Sequence, residues 1–186
     1  MLRPKDKPAT YADIEALPEN MVGQILFGVL HTHPRPAPRH ARAASTLGVE
    51  LGGPFDRGRG GPGGWIILDE PEIHVGTHVI VPDLAGWRRE RMPKLPDTAY
   101  FEVAPDWVAE VLSPSTAQTD RTDKLAIYAA FGVAHAWYVD PSARTLEVFA
   151  LTGGKWLLAA TYKDADAVTA PPFEAHTFAL DALWEA

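Results

Sequence analysis

The chain has 186 residues, of which 46% are hydrophobic and 22% are charged, and these values are typical of one globular domain that spans residues 1–186. The absence of cysteine excludes disulfides, thiolate metal sites and a catalytic thiol, so any metal must be bound by oxygen or imidazole. The net charge of −7 combines +1 in residues 1–94 with −8 in residues 95–186, and this balance disfavours a general polyanion binder.

The N-terminal segment and the hydropathy pattern predict a cytoplasmic location. Residues 1–10 contain no apolar run of the kind found in secretory signals. The least polar stretch, residues 125–139, has about 15 residues and includes His135, whereas a membrane-spanning helix needs about 20. We therefore expect no membrane span.

The N-terminal third predicts two helices on either side of a strand. Thr10 and Asp13 have the spacing of a capping box, and Pro18 ends the helix that they begin. A proline-rich segment precedes the second helix, and Gly52 ends it. The expected elements are a helix over residues 11–17, a strand over residues 21–32 and a helix over residues 39–51.

A glycine-rich loop at residues 58–64 separates these elements from a part of the chain with strand-like alternation of apolar residues. An apolar segment around Glu110 predicts a central strand that is covered on both faces. Strands are expected at residues 65–68, 73–75, 79–81, 106–112, 134–139, 145–151 and 155–162, with a helix at residues 119–131. The order of elements predicts a mixed α/β domain with one central sheet.

Asp83 and Glu110 are the strongest candidates for chemistry. An ionised carboxylate such as Glu110 is costly inside an apolar strand unless it is paired or bound to a cation. If Asp83 ends a neighbouring strand, the two carboxylates repel each other, and a hard cation such as Mg²⁺ relieves that repulsion. Lys124, on the next helix, could orient the attacking water and stabilise charge on a phosphoryl oxygen.

The residues alone leave a structural interpretation open. Asp83 is then a turn residue after Pro82, Glu110 belongs to a buried salt bridge, and Lys124 is an exposed helix residue. A zinc pair at His31 and His33 is a further alternative.

Several segments carry a resemblance to a known family. They are residues 81–85, 105–116, 120–121, 124–128, 132–133 and 137–141. In these segments the chain resembles the Uma2 family of proposed restriction endonucleases, which is placed in the PD-(D/E)XK nuclease superfamily. The resemblance implies a restriction-endonuclease-like α/β fold: a mixed central sheet flanked by helices, with an αβββαβ core and extra N- and C-terminal strands.

The resemblance also implies a set of site residues. The catalytic residues are Asp83, Glu110, Lys124 and His40. The metal, Mg²⁺ with Mn²⁺ as a substitute, is assigned to Asp83, Glu110 and Val111. The lysine departs from the simple motif, because Leu112 occupies the position two residues after Glu110 and the lysine is instead on the following helix.

A further acid is expected near the metal. Glu50 is the only acid on the helix over residues 39–51, and Glu70 and Glu72 compete with it for this role. Gln24 stands near a position at which family members often carry an acid.

Two basic segments, residues 35–59 and 88–94, are candidates for contacts with a nucleic-acid backbone. The alternative interpretation is that both segments are solvated loops without such contacts. The candidate side chains are Arg39, Arg42, Arg88 and Arg89. Trp87, beside two arginines, could stack on a base.

The function implied is a Mg²⁺-dependent endonuclease that acts on nucleic acid, DNA rather than RNA, as a homodimer. The alternative is a catalytically inactive nuclease-fold scaffold or nucleic-acid-binding module. The net charge of −7 favours this alternative, because duplex binding depends on neutralisation of phosphates.

Overall fold

The computed structural model describes residues 7–34 and 36–184. Arg35, the first residue of one predicted basic segment, lies outside the described residues. The strands are β1 (Met21–Leu26), β2 (Val29–Pro34), β3 (Trp65–Asp69), β4 (Ile73–Val75), β5 (His78–Ile80), β6 (Leu84–Arg88), β7 (Trp107–Val111), β8 (His135–Asp140), β9 (Thr145–Thr152), β10 (Lys155–Lys163), β11 (Ala167–Val168) and β12 (Phe178–Ala179). The helices are α1 (Tyr11–Glu15), α2 (Pro38–Leu51), α3 (Ala117–Thr119) and α4 (Leu125–Ala130), with π-helical segments at Gly52–Asp56 and Asp120–Lys124 and a 3₁₀ turn at Leu180–Leu183.

A mixed sheet with the strand order β10-β9-β8-β7-β6-β3 forms the centre of the fold. Among the described strands of this sheet, β7 and β8 are the one parallel pair, and the other neighbours are antiparallel. A parallel pair needs a crossover connection, and α3, the second π-helical segment and α4 provide it. The predicted mixed α/β fold is confirmed. Lys124 lies on this crossover, which follows the central strand β7.

A second sheet, with the order β2-β1-β5-β4, corrects the expectation of one strand over residues 21–32. The chain turns at Phe27 and Gly28, whose φ angles are 51° and 77°, and forms a hairpin. Two consecutive positive φ angles are typical of the tight turns that match strand twist. This turn was not predicted from the sequence, because a bulky residue such as Phe27 rarely adopts a positive φ.

The apolar core covers both faces of β7, as predicted for a central strand. Trp107, Ala109 and Val111 pack in one cluster, and Val108 packs in another cluster with Ile127 and Tyr128 of α4. Successive strand residues point to opposite faces, so Glu110 shares the face of Val108, which α4 covers. This alternation explains why an acid in an apolar strand meets side chains from the crossover helices.

The strand that carries Asp83 differs from its prediction. We expected Asp83 to end the strand over residues 79–81, but β5 ends at Ile80 and Asp83 directly precedes β6. β6 was not predicted, because its Leu-Ala-Gly-Trp-Arg sequence lacks β-branched residues. No helix among the described residues is long and apolar enough to cross a membrane.

Candidate active site

Asp83 and Glu110 come together because β6 and β7 are antiparallel neighbours. Leu84, the first residue of β6, pairs with Ala109 of β7, so Asp83 lies beside the end of β7. The Val111 N–H donates to Asp83 Oδ2 at 2.6 Å. We expected Asp83 and Glu110 to lie at the ends of neighbouring strands. In the structure they do lie on neighbouring strands, but Asp83 is at the start of its strand rather than at the end.

Glu110 is only 2% exposed, and both of its carboxylate oxygens have partners. Lys124 Nζ donates to Oε2 at 2.9 Å, and the Tyr128 hydroxyl donates to Oε1 at 2.5 Å. Lys124 Nζ also contacts Asp120 Oδ1 at 3.1 Å and donates to the Val81 carbonyl at 3.3 Å. The lysine is therefore fixed between two carboxylates and the backbone that leads to Asp83.

Three carboxylates surround one lysine, and their charges act on one another. Burial raises the pKa of Glu110 to about 8; Lys124 lowers it, while the charges of Asp120 and Asp83 raise it further. Burial alone would lower the pKa of Lys124, but Glu110, Asp120 and Asp83 raise it above its ordinary value. Lys124 is thus held as a cation, and Glu110 binds a proton more readily than an ordinary glutamate.

His40 reaches the same site from the first turn of α2. Its Nε2 lies 3.3 Å from Asp83 Oδ1. Burial lowers the pKa of His40, but Asp83 and the Val111 backbone raise it, and the net pKa lies above the ordinary value. Its Nδ1 is buried and has no hydrogen-bond partner among the described residues.

A cavity of about 330 Å³ opens over these side chains. Its walls include the start of α2 and the Ser113–Thr116 connection between β7 and α3. The ionisable side chains of its lining that matter here are His40, Glu70, Asp83, Glu110, Asp120 and Lys124. The four predicted catalytic residues therefore share one cavity.

The structure does not bring Glu72 or Glu50 into this cavity, because their carboxylates have other partners. Glu72 Oε1 accepts the Tyr11 hydroxyl at 2.9 Å and lies 2.7 Å from His74 Nε2. Glu50 Oε2 lies 3.4 Å from His176 Nε2. Glu70 lines the cavity instead, which makes it the acid of that segment nearest to the site.

The predicted arginines fall into two groups. Arg39 and Arg42 lie on α2 beside His40. Arg88 stacks on the Trp65 ring at 4.7 Å, and Arg89 pairs with Asp56 at 2.7 Å. Since Arg88 ends the strand that Asp83 precedes, the second group lies roughly 16 Å from Asp83 along β6, given about 3.3 Å per residue.

Two other sequence interpretations are not supported. Trp87 is fully buried and its indole donates to the Val103 carbonyl at 2.8 Å, so the prediction that it stacks on a base is wrong. Within residues 7–34 and 36–184, no group of three or more His, Asp or Glu side chains is arranged to hold a metal ion, and the zinc pair at His31 and His33 gains no support.

Sequence reasoning missed Asp120 and Tyr128 as site residues, and it noted Gln24 only as standing near a position at which family members often carry an acid. Asp120, Lys124 and Tyr128 recur at intervals of four, the spacing of one helix face, and this pattern could have found the first and the last. Gln24 is 3% exposed, and its Oε1 accepts the Val81 N–H at 2.9 Å. It thereby positions the segment whose carbonyl accepts Lys124.

The raised pKa of Glu110 predicts that the free energy of unfolding falls as pH rises. This carboxyl ionises near its ordinary pKa of 4.5 in the unfolded chain and near 8 in the folded protein. The folded protein binds more protons between these values, so the stabilising contribution is complete below pH 4.5 and is lost as pH rises through 8. We expect Glu110→Gln to flatten this decline, measured by urea unfolding from about pH 5 to pH 8.5.

Glu147→Gln is the matched control, because Glu147 pairs with Arg121 at 2.6 Å near the surface, and this variant should keep the wild-type pH dependence. His40, whose pKa is also raised, contributes a slope of the same sign in both variants. An unchanged slope in Glu110→Gln would contradict the prediction.

Comparisons with known proteins identify a family and a similar solved structure. The family model of Uma2, described as "Putative restriction endonuclease", matches residues 10–182. A solved structure from Anabaena variabilis ATCC 29413, described as "a putative nuclease belonging to DUF820", is similar with a TM-score of 0.75 and 22% identity. The similarity covers 95% of this chain and 98% of that chain, and at this identity it shows a shared fold. No curated protein matches the chain. Since the family model covers nearly the whole sequence, the chain belongs to the Uma2 family.

Proposed function

We propose that the chain is a divalent-cation-dependent endonuclease that hydrolyses phosphodiester bonds of nucleic acid. The observation that carries this proposal is the convergence of Asp83, Glu110 and Lys124 on one cavity. Two acids and a lysine are the groups that such hydrolysis needs, because the acids bind a cation and the lysine stabilises developing negative charge.

The residues of the cavity fit a hard cation. Asp83 and Glu110 line the cavity and supply carboxylate oxygens, and the carbonyl of Val111, the next residue along β7, is the candidate third oxygen ligand. The charges of Asp120 and Asp83, which raise the pKa of Glu110, also favour an added cation. Mg²⁺ needs only one or two carboxylates, because it keeps several waters, so it is compatible with the lack of a larger metal-binding cluster in the part of the chain that the structure describes. We assign Mg²⁺, with Mn²⁺ as a substitute, to Asp83, Glu110 and Val111. When bound, the cation supplies Lewis-acid polarisation of a phosphoryl oxygen and lowers the pKa of water.

Lys124 and His40 supply the remaining chemistry. Lys124, held as a cation by Glu110 and Asp120, orients the attacking water and offsets negative charge on the phosphoryl group. His40, with a pKa held above its ordinary value by Asp83, carries a proton that it can donate to a phosphate oxygen. Both side chains lie at the cavity before any substrate binds, so little reorganisation is needed.

The proposed substrate is nucleic acid, DNA rather than RNA, in agreement with the description of the family as restriction endonucleases. Arg39 and Arg42 support a nucleic-acid substrate, because they lie on the same helix as His40 and can contact phosphates of the substrate strand. Arg88 and Arg89 would contact the nucleic acid only where it extends along β6.

A non-catalytic scaffold or nucleic-acid-binding module is the second candidate function. One observation favours it: Lys124 and Tyr128 already satisfy both oxygens of Glu110, so this carboxylate needs no cation to be stable.

A cleavage assay separates the two functions. Supercoiled plasmid and single-stranded DNA are incubated with the protein in Mg²⁺, in Mn²⁺ and in EDTA. The proposed function predicts nicking or cleavage in both metals and none in EDTA. Binding without cleavage under all conditions would instead support the non-catalytic module.

We also propose a homodimer, because one site per chain must act twice to cut both strands of a duplex. Val29 on the edge strand β2 is 56% exposed, and Leu157 on the edge strand β10 is 54% exposed. Light scattering should give about twice the 20.3 kDa chain mass. Either Val29→Lys or Leu157→Lys should restore the monomer and so identify the edge that pairs. A wild-type mass near that of one chain would reject the dimer.

A further inference from the structure

A second cavity, of about 600 Å³, lies at the N-terminal end of α2. We call it the arginine cleft. Its lining includes Arg39 and Arg42 of α2, Ser142 and Arg144 from the turn between β8 and β9, and Trp184 near the C-terminus. None of its lining residues in the described part of the chain is acidic. A cleft with three guanidinium groups in a chain with a net charge of −7 points to an anionic ligand.

The arginine cleft lies close to the candidate active site. Arg39 and Arg42 are three residues apart and so share one side of α2, while His40 points into the active-site cavity. Both cavities therefore border the first turn of α2. Since an α-helix with its side chains is only roughly 10–12 Å across, a strand of a few nucleotides can reach both sites.

Hydrogen bonds hold the backbone of the turn between β8 and β9, which carries Arg144. Asp140 Oδ1 accepts the N–H groups of Ser142 and Ala143, both at 2.9 Å. The Arg144 carbonyl accepts the Asp164 N–H at 2.9 Å, and the φ angle of Arg144 is 53°. Asp140 is thus bound to the turn backbone, and Glu147, the acid nearest to Arg144 in sequence, pairs with Arg121 at 2.6 Å.

Trp184 adds a flat apolar surface to this cationic cleft. Its ring packs partly against the core, and its Nε1 is buried without a hydrogen-bond partner among the described residues. A buried donor without an acceptor is unfavourable, and an oxygen of a ligand would satisfy it. Aromatic side chains beside arginines are the usual platform for an unpaired base.

We propose that the arginine cleft binds one unpaired nucleotide of the substrate strand, with its phosphate on the arginines and its base stacked on Trp184. This inference rests on the proposed function for the identity of the strand. The cleft holds the strand a few nucleotides from the cleaved bond and thereby fixes its register in the active site.

The test measures binding in EDTA, where the divalent cation required for cleavage is absent. The probe is a fluorescein-labelled single-stranded DNA of about 12 nucleotides, followed by anisotropy over a range of salt concentrations. The variant is Arg39→Gln with Arg144→Asn, since asparagine tolerates the positive φ at position 144. The control is Lys7→Gln with Lys155→Gln, which removes two charges from exposed positions that lie outside both basic segments and line neither cavity.

We expect the cleft variant to bind at least tenfold more weakly, with a salt dependence smaller by one to two released ions, and the control to bind within about twofold of wild type. Bound DNA should quench tryptophan fluorescence in wild type and much less in Trp184→Phe. Equal affinity and equal salt dependence in the cleft variant would overturn the proposal.

The failure of this inference can be distinguished from the failure of the proposed function. If wild type cleaves the same DNA in Mg²⁺ and the cleft variant binds and cleaves normally, only the inference fails. If the cleft variant loses binding but wild type never cleaves, the cleft is upheld and the nuclease activity is rejected.

Discussion

Asp83→Asn is expected to reduce Mg²⁺-dependent cleavage of DNA by about 10³-fold or more, because it removes one of two carboxylates assigned to the cation. The folded structure should tolerate this change. The amide oxygen can still accept the Val111 N–H, and the amide nitrogen can donate to His40 Nε2. We therefore expect the free energy of unfolding to change by no more than about 1 kcal/mol, measured by urea unfolding.

Asp106→Asn is the matched control for this variant. Asp106 also accepts a backbone N–H, from Arg88 at 2.8 Å, and also lies beside a basic side chain, Arg91 at 2.7 Å. It precedes β7, at the opposite end of that strand from Glu110, and does not line the cavity. Cleavage by Asp106→Asn should match wild type. Wild-type cleavage by Asp83→Asn would contradict the assignment of the metal.

Lys124→Met is expected to lower both activity and stability. Its charge offsets negative charge on the phosphoryl group, so we expect a decrease in kcat of about 10²–10³-fold. The same change leaves Glu110 and Asp120 buried without their cation, and breaking a buried pair in this way costs about 3–5 kcal/mol. Steady-state cleavage and urea unfolding near pH 8 measure the two effects.

Adding Glu110→Gln to Lys124→Met separates the two effects. The double variant removes one uncompensated carboxylate and should recover part of the stability, while its activity stays at or below that of the single variant. Mg²⁺ should raise the Tm of Lys124→Met by more than that of wild type, because the cation offsets charge that the lysine no longer balances. Lys155→Met, at an exposed position on β10, should match wild type in every measurement. A Lys124→Met variant with wild-type kcat would contradict the role of the lysine.

The strength of the local signal explains which elements could be predicted from sequence. β7 was predicted with its burial because an apolar run around one acid has few alternatives. The hairpin of β1 and β2 was not, because its turn uses Phe27 in a conformation that sequence rules assign to small or polar residues. The helix predicted over residues 119–131 is divided into α3, a π-helical segment and α4, a difference that no local pattern signals.

Sequence reasoning identified the core of the candidate site and missed its surroundings. Asp83, Glu110 and Lys124 stand out as charges in or after apolar strands, and their family resemblance names them. Asp120 and Tyr128 do not stand out in the sequence, because a helix cap and an apolar stripe account for them equally well. Sequence alone left Glu70 and Glu72 as competing candidates, whereas in the structure the Glu70 N–H donates to the Asp83 carbonyl and so holds Glu70 beside the cavity.

The most direct test of the central claim is the position of Mn²⁺ in crystals soaked with that ion. The account predicts an anomalous peak between Asp83 and Glu110, with oxygen ligands from both carboxylates and the Val111 carbonyl at about 2.0–2.2 Å. It also predicts that the peak is absent from Asp83→Asn crystals soaked in parallel. An empty cavity in wild-type crystals, with Lys124 still bound to both Glu110 and Asp120, would contradict the metal site and favour the non-catalytic module.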